Sequence, residues 1–175
     1  MILRLKHLEK KPVIHESSFI APNAVIIGDV EIGPESSIWY GCVLRGDVNY
    51  IKIGAGVNLQ DNTICHGQLG EFPVIIEDQV SAGHGAVIHG CTIRRKALIG
   101  IRATLLNGSE IGEEAIVAAG SLVPPGFKVP ARTLVAGVPA RIKRELDERD
   151  FMLLEYTYTH YIEYSKEYIR LGIGL

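Results

Sequence analysis

Aliphatic residues recur at every sixth position from Ile14 through Ile20, Ile26, Ile32 and Ile38 to Leu44. After a three-residue slip the series resumes at Ile53, Leu59 and Cys65. A second slip, through GQLGEFPV, leads to Ile76, Ala82 and Ile88. One five-residue step then opens Ile93, Ile99, Leu105, Ile111, Val117 and Val123. Four residues after these positions the side chains are small or slim, as at Ser36, Cys42, Thr63, Ala86, Ala103 and Ala115. A period of six fits neither the 3.6-residue turn of a helix nor the alternation of a hairpin strand. It fits a coil of short strands joined by turns, with the aliphatic residue inside and the small residue near each corner.

The repeat, from about Val13 to Val123, resembles the hexapeptide-repeat, left-handed parallel β-helix family, whose triangular coils each take three hexads. Left-handed crossovers are the rare hand, so the hand comes from the resemblance and not from the period. Beyond the coil, LVPPGFKVPARTLVAGVPARI is rich in turn residues. The segment from Arg141 is then free of Gly and Pro until Gly172. Leu146, Leu153, Leu154, Tyr158, Tyr161, Ile162, Tyr168 and Ile169 give it an imperfect apolar stripe at helical spacing. The expected architecture is mainly β: residues 1–140 form the β-helix with its lead-in and exit turn, and residues 141–175 form a C-terminal α-helix packed on the coil.

Composition narrows the function. The 175 residues, 47% hydrophobic and 22% charged, suit one globular domain. A net charge of -2 supplies neither the basic field of a nucleic-acid binder nor a polybasic membrane patch. No apolar run approaches the roughly 20 residues of a membrane span. The opening MILRLKHLEKKP is too charged and too short for a secretory signal. Three cysteines without a CxxC make no disulfide framework. The expectation is a cytoplasmic protein with no nucleic-acid or membrane partner.

The stretch SAGHGAVIHG, Ser81 to Gly90, spends two histidines five residues apart. With the hexad at Ile14 on a first face, Leu44, Cys65 and Ile88 open successive hexads on the third. Arg45, His66 and His89 follow them directly, so they stack in one column about 4.8 Å per rung. His66 and His89 can therefore share a metal. On the second face Leu59 and Ala82 open successive hexads, and Asp61 and His84 each come two residues later, so His84 lies one rung from Asp61. The extended path from His84 to His89 spans roughly 16 Å, whereas nitrogens sharing a zinc lie about 3–4 Å apart. His84 is thus expected to meet the His66/His89 pair of another chain in a threefold ring. Three histidines with an open fourth position form the ligand set of a hydrolytic or hydrating zinc site. His7, His15 and His160 lack this setting and read as surface or local polar residues.

RGD at Arg45–Asp47, NLQDNTICHG at Asn58–Gly67 and GHGAVIHGC at Gly83–Cys91 resemble the gamma-class carbonic anhydrases and their carbonic-anhydrase-like relatives over nearly the whole chain. The resemblance implies a homotrimer with zinc on His66, His84 and His89, the middle ligand coming from the neighbouring subunit. It implies a salt-bridge network of Arg45, Asp47 and Asp61 near the interface, Gln60 orienting the water that zinc activates, and Tyr161 near the metal. It also implies a lyase that reversibly hydrates carbon dioxide to bicarbonate. Three imidazoles suit iron or cobalt as well. Arg45 can clamp a carboxylate or simply hold chains together.

Two features depart from the founding enzymes, which carry a glutamate after the RGD and a longer acidic loop for proton transfer. Here Val48 follows Asp47, and Glu71 is the acid near the centre of a short loop. These departures keep open a metal trimer with little hydratase activity, serving assembly or hydrolysing another substrate such as a thioester. AGVPARIK, Ala136 to Lys143, also closes the coil in hexapeptide acyltransferases, which use a histidine base without a metal. Cys42, Cys65 and Cys91 read as buried thiols.

Overall fold

The computed structural model describes residues 1–3 and 10–174; His7 lies outside them. Short strands stack in parallel into a β-solenoid of about seven turns. Each inward aliphatic residue pairs with its counterpart one turn on. Ile14, Ile32, Ile53, Ile76, Ile93 and Ile111 form one column. Ile20, Ile38, Leu59, Ala82, Ile99 and Val117 form the second. Ile26, Leu44, Cys65, Ile88, Leu105 and Val123 form the third. The slips in the repeat shift the spacing without breaking register, because the extra residues leave at corners. Strands Val25–Ile32 and Val43–Ile53 run round a corner and join the first and third faces into one 12-stranded sheet; the second face is an eight-stranded sheet.

The three columns fill a continuous core in which Ile26, Leu44, Leu59 and Ile88 are fully buried. The coil is thin at its corners. A Cβ on Gly83 would lie 2.8 Å from the backbone nitrogen of Ile101 on the next turn, so only glycine lets the two turns close there. Two residues on, Gly85 turns the corner with φ +69°.

The coil continues past Val123 for two more hexads. Val129 pairs with Ile111 and Val135 with Val117, and both are buried. The prolines that made this stretch read as turns obey the repeat. In the body of the coil, the nitrogen following an inward residue donates to the next turn, as Gly100 N does to Val117 O and Leu106 N to Val123 O. Pro124 and Pro130 hold that position on the last rung of their faces. No further rung waits for the missing N–H, so proline costs nothing there.

The exit also differs from expectation. Residues Ala140–Glu145 form a strand antiparallel to Thr133–Gly137, so Arg141 to Glu145, expected to open the helix, lie in the sheet instead. Pairing covers the last edge of the second face with a charged strand, a common protection for an open edge. The helix begins only at Glu148 and runs to Arg170. Asp147 caps it by accepting from Arg149 N and Asp150 N, while Asp150 reaches back to Asp147 N at 2.9 Å.

Asp150 also binds Arg144, and that guanidinium, set against slight burial, holds its carboxyl below the ordinary aspartate range. Because the folded-state value is depressed, this stabilisation is complete above the unfolded value and disappears as pH falls through the folded one. Asp150→Asn should therefore cost about 0.5–1 kcal/mol near neutral pH. The deficit should shrink in acid, as read by thermal melts across the acidic range; a deficit independent of pH would assign the loss elsewhere.

Candidate metal centre

The helix and the second face together set one side of the site. Trp39, next after inward Ile38, packs against Phe19 (centroids 5.0 Å apart), Tyr168 (5.2 Å) and Tyr161 (5.5 Å), and its indole N–H donates to Ser37 Oγ at 3.0 Å. Tyr161 thus stands over the coil where Trp39, Tyr40, Asp61, Tyr164 and Tyr168 line a cavity of about 390 Å³. Burial, with Asp61 and Tyr164 nearby, pushes its phenol above the ordinary tyrosine range. Asp61 Oδ1 accepts from Tyr40 N at 3.2 Å, and Asp61 Oδ2 lies 2.9 Å from His84 Nδ1. His84, on the next rung, is exposed at a corner.

Gln60 follows Leu59 as Trp39 follows Ile38, so the two share an outward column. It is nearly buried, and its amide nitrogen donates to Asn58 Oδ1 at 3.2 Å. Asn58 in turn donates to Ser81 Oγ at 2.7 Å. With the NH2 group anchored, the Gln60 amide has a defined sense.

The third face holds the other half. Arg45, His66 and His89 pair rung by rung, as the column count requires. His66 Nδ1 lies 3.2 Å from His89 Nε2. The outer nitrogens are both held by oxygen: His66 Nε2 by Asp47 Oδ1 at 3.0 Å, and His89 Nδ1 by Asn107 Oδ1 at 2.6 Å. Arg45 Nη1 donates to Asp47 Oδ2 at 2.5 Å. Burial raises the Asp47 carboxyl, but the hydrogen bonds from Arg45 and His66 outweigh it and hold the group below its ordinary range.

Two imidazole nitrogens 3.2 Å apart, each with its opposite nitrogen anchored to oxygen, fit the donor set of a divalent ion. Within one chain, the described residues gather no set of three His, Cys, Asp or Glu able to hold a metal. Arg45 joins Asp47, and Asp61 joins His84; among the described residues a single chain does not unite these halves. Glu71 is exposed at the tip of the loop after His66.

Asn107 and Gln68 were not singled out from the sequence. Asn107 follows Leu105 by two residues, on the rung after His89, so the column count contained the signal. His15 pairs locally with Ser17, and His160 with Tyr156 O, away from the site. Cys42, Cys65 and Cys91 are buried and free; burial pushes Cys42 and Cys91 up to about 12 and Cys65 well above its ordinary value. They remain neutral thiols at ordinary pH, which suits core packing rather than ligation. No helix among the described residues is long and apolar enough to cross a membrane.

Known proteins share this arrangement of sequence and coil. A family model described as bacterial transferase hexapeptide (six repeats) matches residues 11–46. "Gamma carbonic anhydrase 2, mitochondrial" of Arabidopsis thaliana is 44% identical over 90% of this chain and 59% of its own length. Gamma carbonic anhydrase 1 from the same plant is 43% identical over 87% and 58%. The chain thus spans less than two thirds of these relatives. The carnitine operon protein CaiE of Salmonella agona is 40% identical over 94% of this chain and 81% of its own length. Among solved structures, a Bacillus cereus protein described as a candidate acetyltransferase is 45% identical, with a TM-score of 0.94 and 97% of each chain covered. A hexapeptide transferase family protein from Anaplasma phagocytophilum is 37% identical, with a TM-score of 0.89 over 95% and 97%. Taken with the stacked hexads and the histidine column, these relationships place the chain in the hexapeptide-repeat family of gamma carbonic anhydrases and carbonic-anhydrase-like proteins.

Proposed function

We propose that this protein is a homotrimeric, metal-dependent lyase that reversibly hydrates carbon dioxide to bicarbonate. His66 and His89 of one subunit and His84 of its neighbour would hold the metal, zinc in the first instance, with iron or cobalt compatible with the same ligands. The observation that carries the reading is the facing pair of imidazole nitrogens, 3.2 Å apart, each backed by an oxygen acceptor. A divalent ion bound there supplies a Lewis acid that brings the pKa of its water to about 7.

The chain's own residues divide the remaining work. Asp47 fixes the His66 ring and is itself tied by Arg45. Asp61 fixes the His84 ring at the corner. Gln60, with its NH2 group engaged by Asn58, presents its carbonyl oxygen to accept a hydrogen bond from reacting water. Arg45 adds a permanent positive charge beside the column, suited to an anionic product. Glu71, exposed on the loop, can exchange protons with solvent. Three buried free thiols accord with a reducing compartment, and the cytoplasm is the proposed location.

The acyltransferase reading draws support from the solved relatives described as transferases. Stopped-flow carbon dioxide hydration, with zinc and with ferrous iron or cobalt under anaerobic conditions, separates the two. Hydration that disappears on chelation is expected. No hydration with any of these metals would overturn the lyase reading, and acetyl-CoA turnover surviving chelation would install the acyltransferase in its place.

A further inference from the structure

We infer that Asn107 and Gln68 form a two-amide clasp that sets the tautomer of His89, keeping Nε2 free of hydrogen and ready to bind a metal. The inference rests on His89 being a ligand, not on the reaction catalysed. A neutral imidazole carries one N–H, and the hydrogen bond made by one nitrogen decides whether the other is a donor or a lone pair. His89 Nδ1 lies 2.6 Å from Asn107 Oδ1, an oxygen that can only accept, so Nδ1 carries the hydrogen. Nε2, facing His66, is left with its lone pair.

An asparagine serves this purpose only if its amide faces the right way. Reversed, its NH2 group would donate to Nδ1 and force the hydrogen onto Nε2, where it blocks a metal. Gln68 favours the required sense: with its Oε1 turned to Asn107, it accepts from Asn107 Nδ2 and rewards the orientation that points Oδ1 at His89.

Gln68 is itself fixed at both backbone groups. Its N–H donates to Phe72 O at 2.8 Å, and its carbonyl accepts from Asn49 Nδ2 at 2.8 Å. Phe72 seats this loop on the column: a Cβ on Gly90 would meet Phe72 Cβ at 2.9 Å, and one on Gly108 would meet its ring at 3.0 Å. The loop GQLGEFP after His66, an interruption in the repeat, thereby acquires a role: it reaches across two rungs to orient the amide that orients the second ligand. Asn107 and Gln68 are positioning residues, acting only through His89.

The test reads the tautomer directly. Imidazole ¹⁵N shifts of His89 are recorded in the metal-free protein well above the ordinary histidine titration range, followed by zinc titration with a competing chelator. The wild type and Asn107→Asp should show Nδ1 protonated and Nε2 bare, since either residue presents an accepting oxygen. Asn107→Ala and Gln68→Met should shift the population toward the Nε2–H form. Zinc affinity should fall by roughly 10–100-fold in Asn107→Ala, less in Gln68→Met, and recover in Asn107→Asp. Gln68→Met lies on the loop and tests the clasp if Asn107→Ala fails to fold. Unchanged His89 shifts in Gln68→Met and, where it folds, in Asn107→Ala would overturn the inference. So would a loss of affinity that Asn107→Asp does not restore. A correct tautomer in a protein that hydrates no carbon dioxide would leave the clasp standing and remove only the proposed reaction.

Discussion

His84→Ala is expected to empty the metal site as completely as His89→Ala, with affinity lowered by more than ~100-fold, beyond what loss of a ligand's supporting hydrogen bond costs. The expectation is not trivial for one chain, because His84 occupies a different face from His66 and His89 and is tied to Asp61 at 2.9 Å. If the metal were held within a subunit, the two-histidine pair would survive the change and metal content per trimer would barely fall. The sharper form uses both variants. On the proposed arrangement, a site takes His66 and His89 from one subunit and His84 from the next. In a ring holding both kinds of chain, one junction always places an intact His66/His89 pair against an intact His84. Chains carrying His84→Ala, unfolded and reassembled with chains carrying His89→Ala, should regain part of the metal that neither binds alone. Mixed trimers that stay empty would confine each site to a single subunit.

What made that prediction available was the arithmetic of the coil. Once a residue's place in its hexad is known, its neighbours one turn away follow, whatever the loop between them, because register is fixed by the inward side chain. His66 beside His89 and Asp61 beside His84 were therefore readable without coordinates. The same arithmetic faltered at Val129 and Val135, where prolines look like breaks. A proline is costly only if its N–H is needed, and that depends on whether another turn follows, a fact no local pattern carries. The strand Ala140–Glu145 was obscured differently: ARIKRE has no helix breaker, and only the open edge beside it makes it a strand. The acceptors behind the histidines were hardest. Asp47 and Asn107 are ordinary outward positions until ring orientations are known, and Gln68 lies in a loop with no period at all.

Trp39→Ala should release the C-terminal helix while leaving the coil folded. The chain's one tryptophan is 7% exposed and meets Phe19, Tyr161 and Tyr168 edge-on or tilted, so it forms the ground beneath the Tyr161–Tyr168 part of the helix. Removing a buried indole costs about 3–5 kcal/mol. In a solenoid each turn is supported mainly by its neighbours, so a loss on the outer surface need not spread through the stack. The expected melt is therefore split, with helical ellipticity lost first and the β signal later, against a more unified transition in the wild type. A single transition at the wild-type midpoint would mean that other contacts hold the helix. The effect reaches the proposed chemistry because Trp39 and Gln60 occupy one outward column, and Tyr161 lies over the cavity that Asp61 borders. Undocking the helix admits solvent above Gln60 and beside the carboxylate that steadies His84. Carbon dioxide hydration should then fall even though His66 and His89, on the other face, keep their mutual geometry.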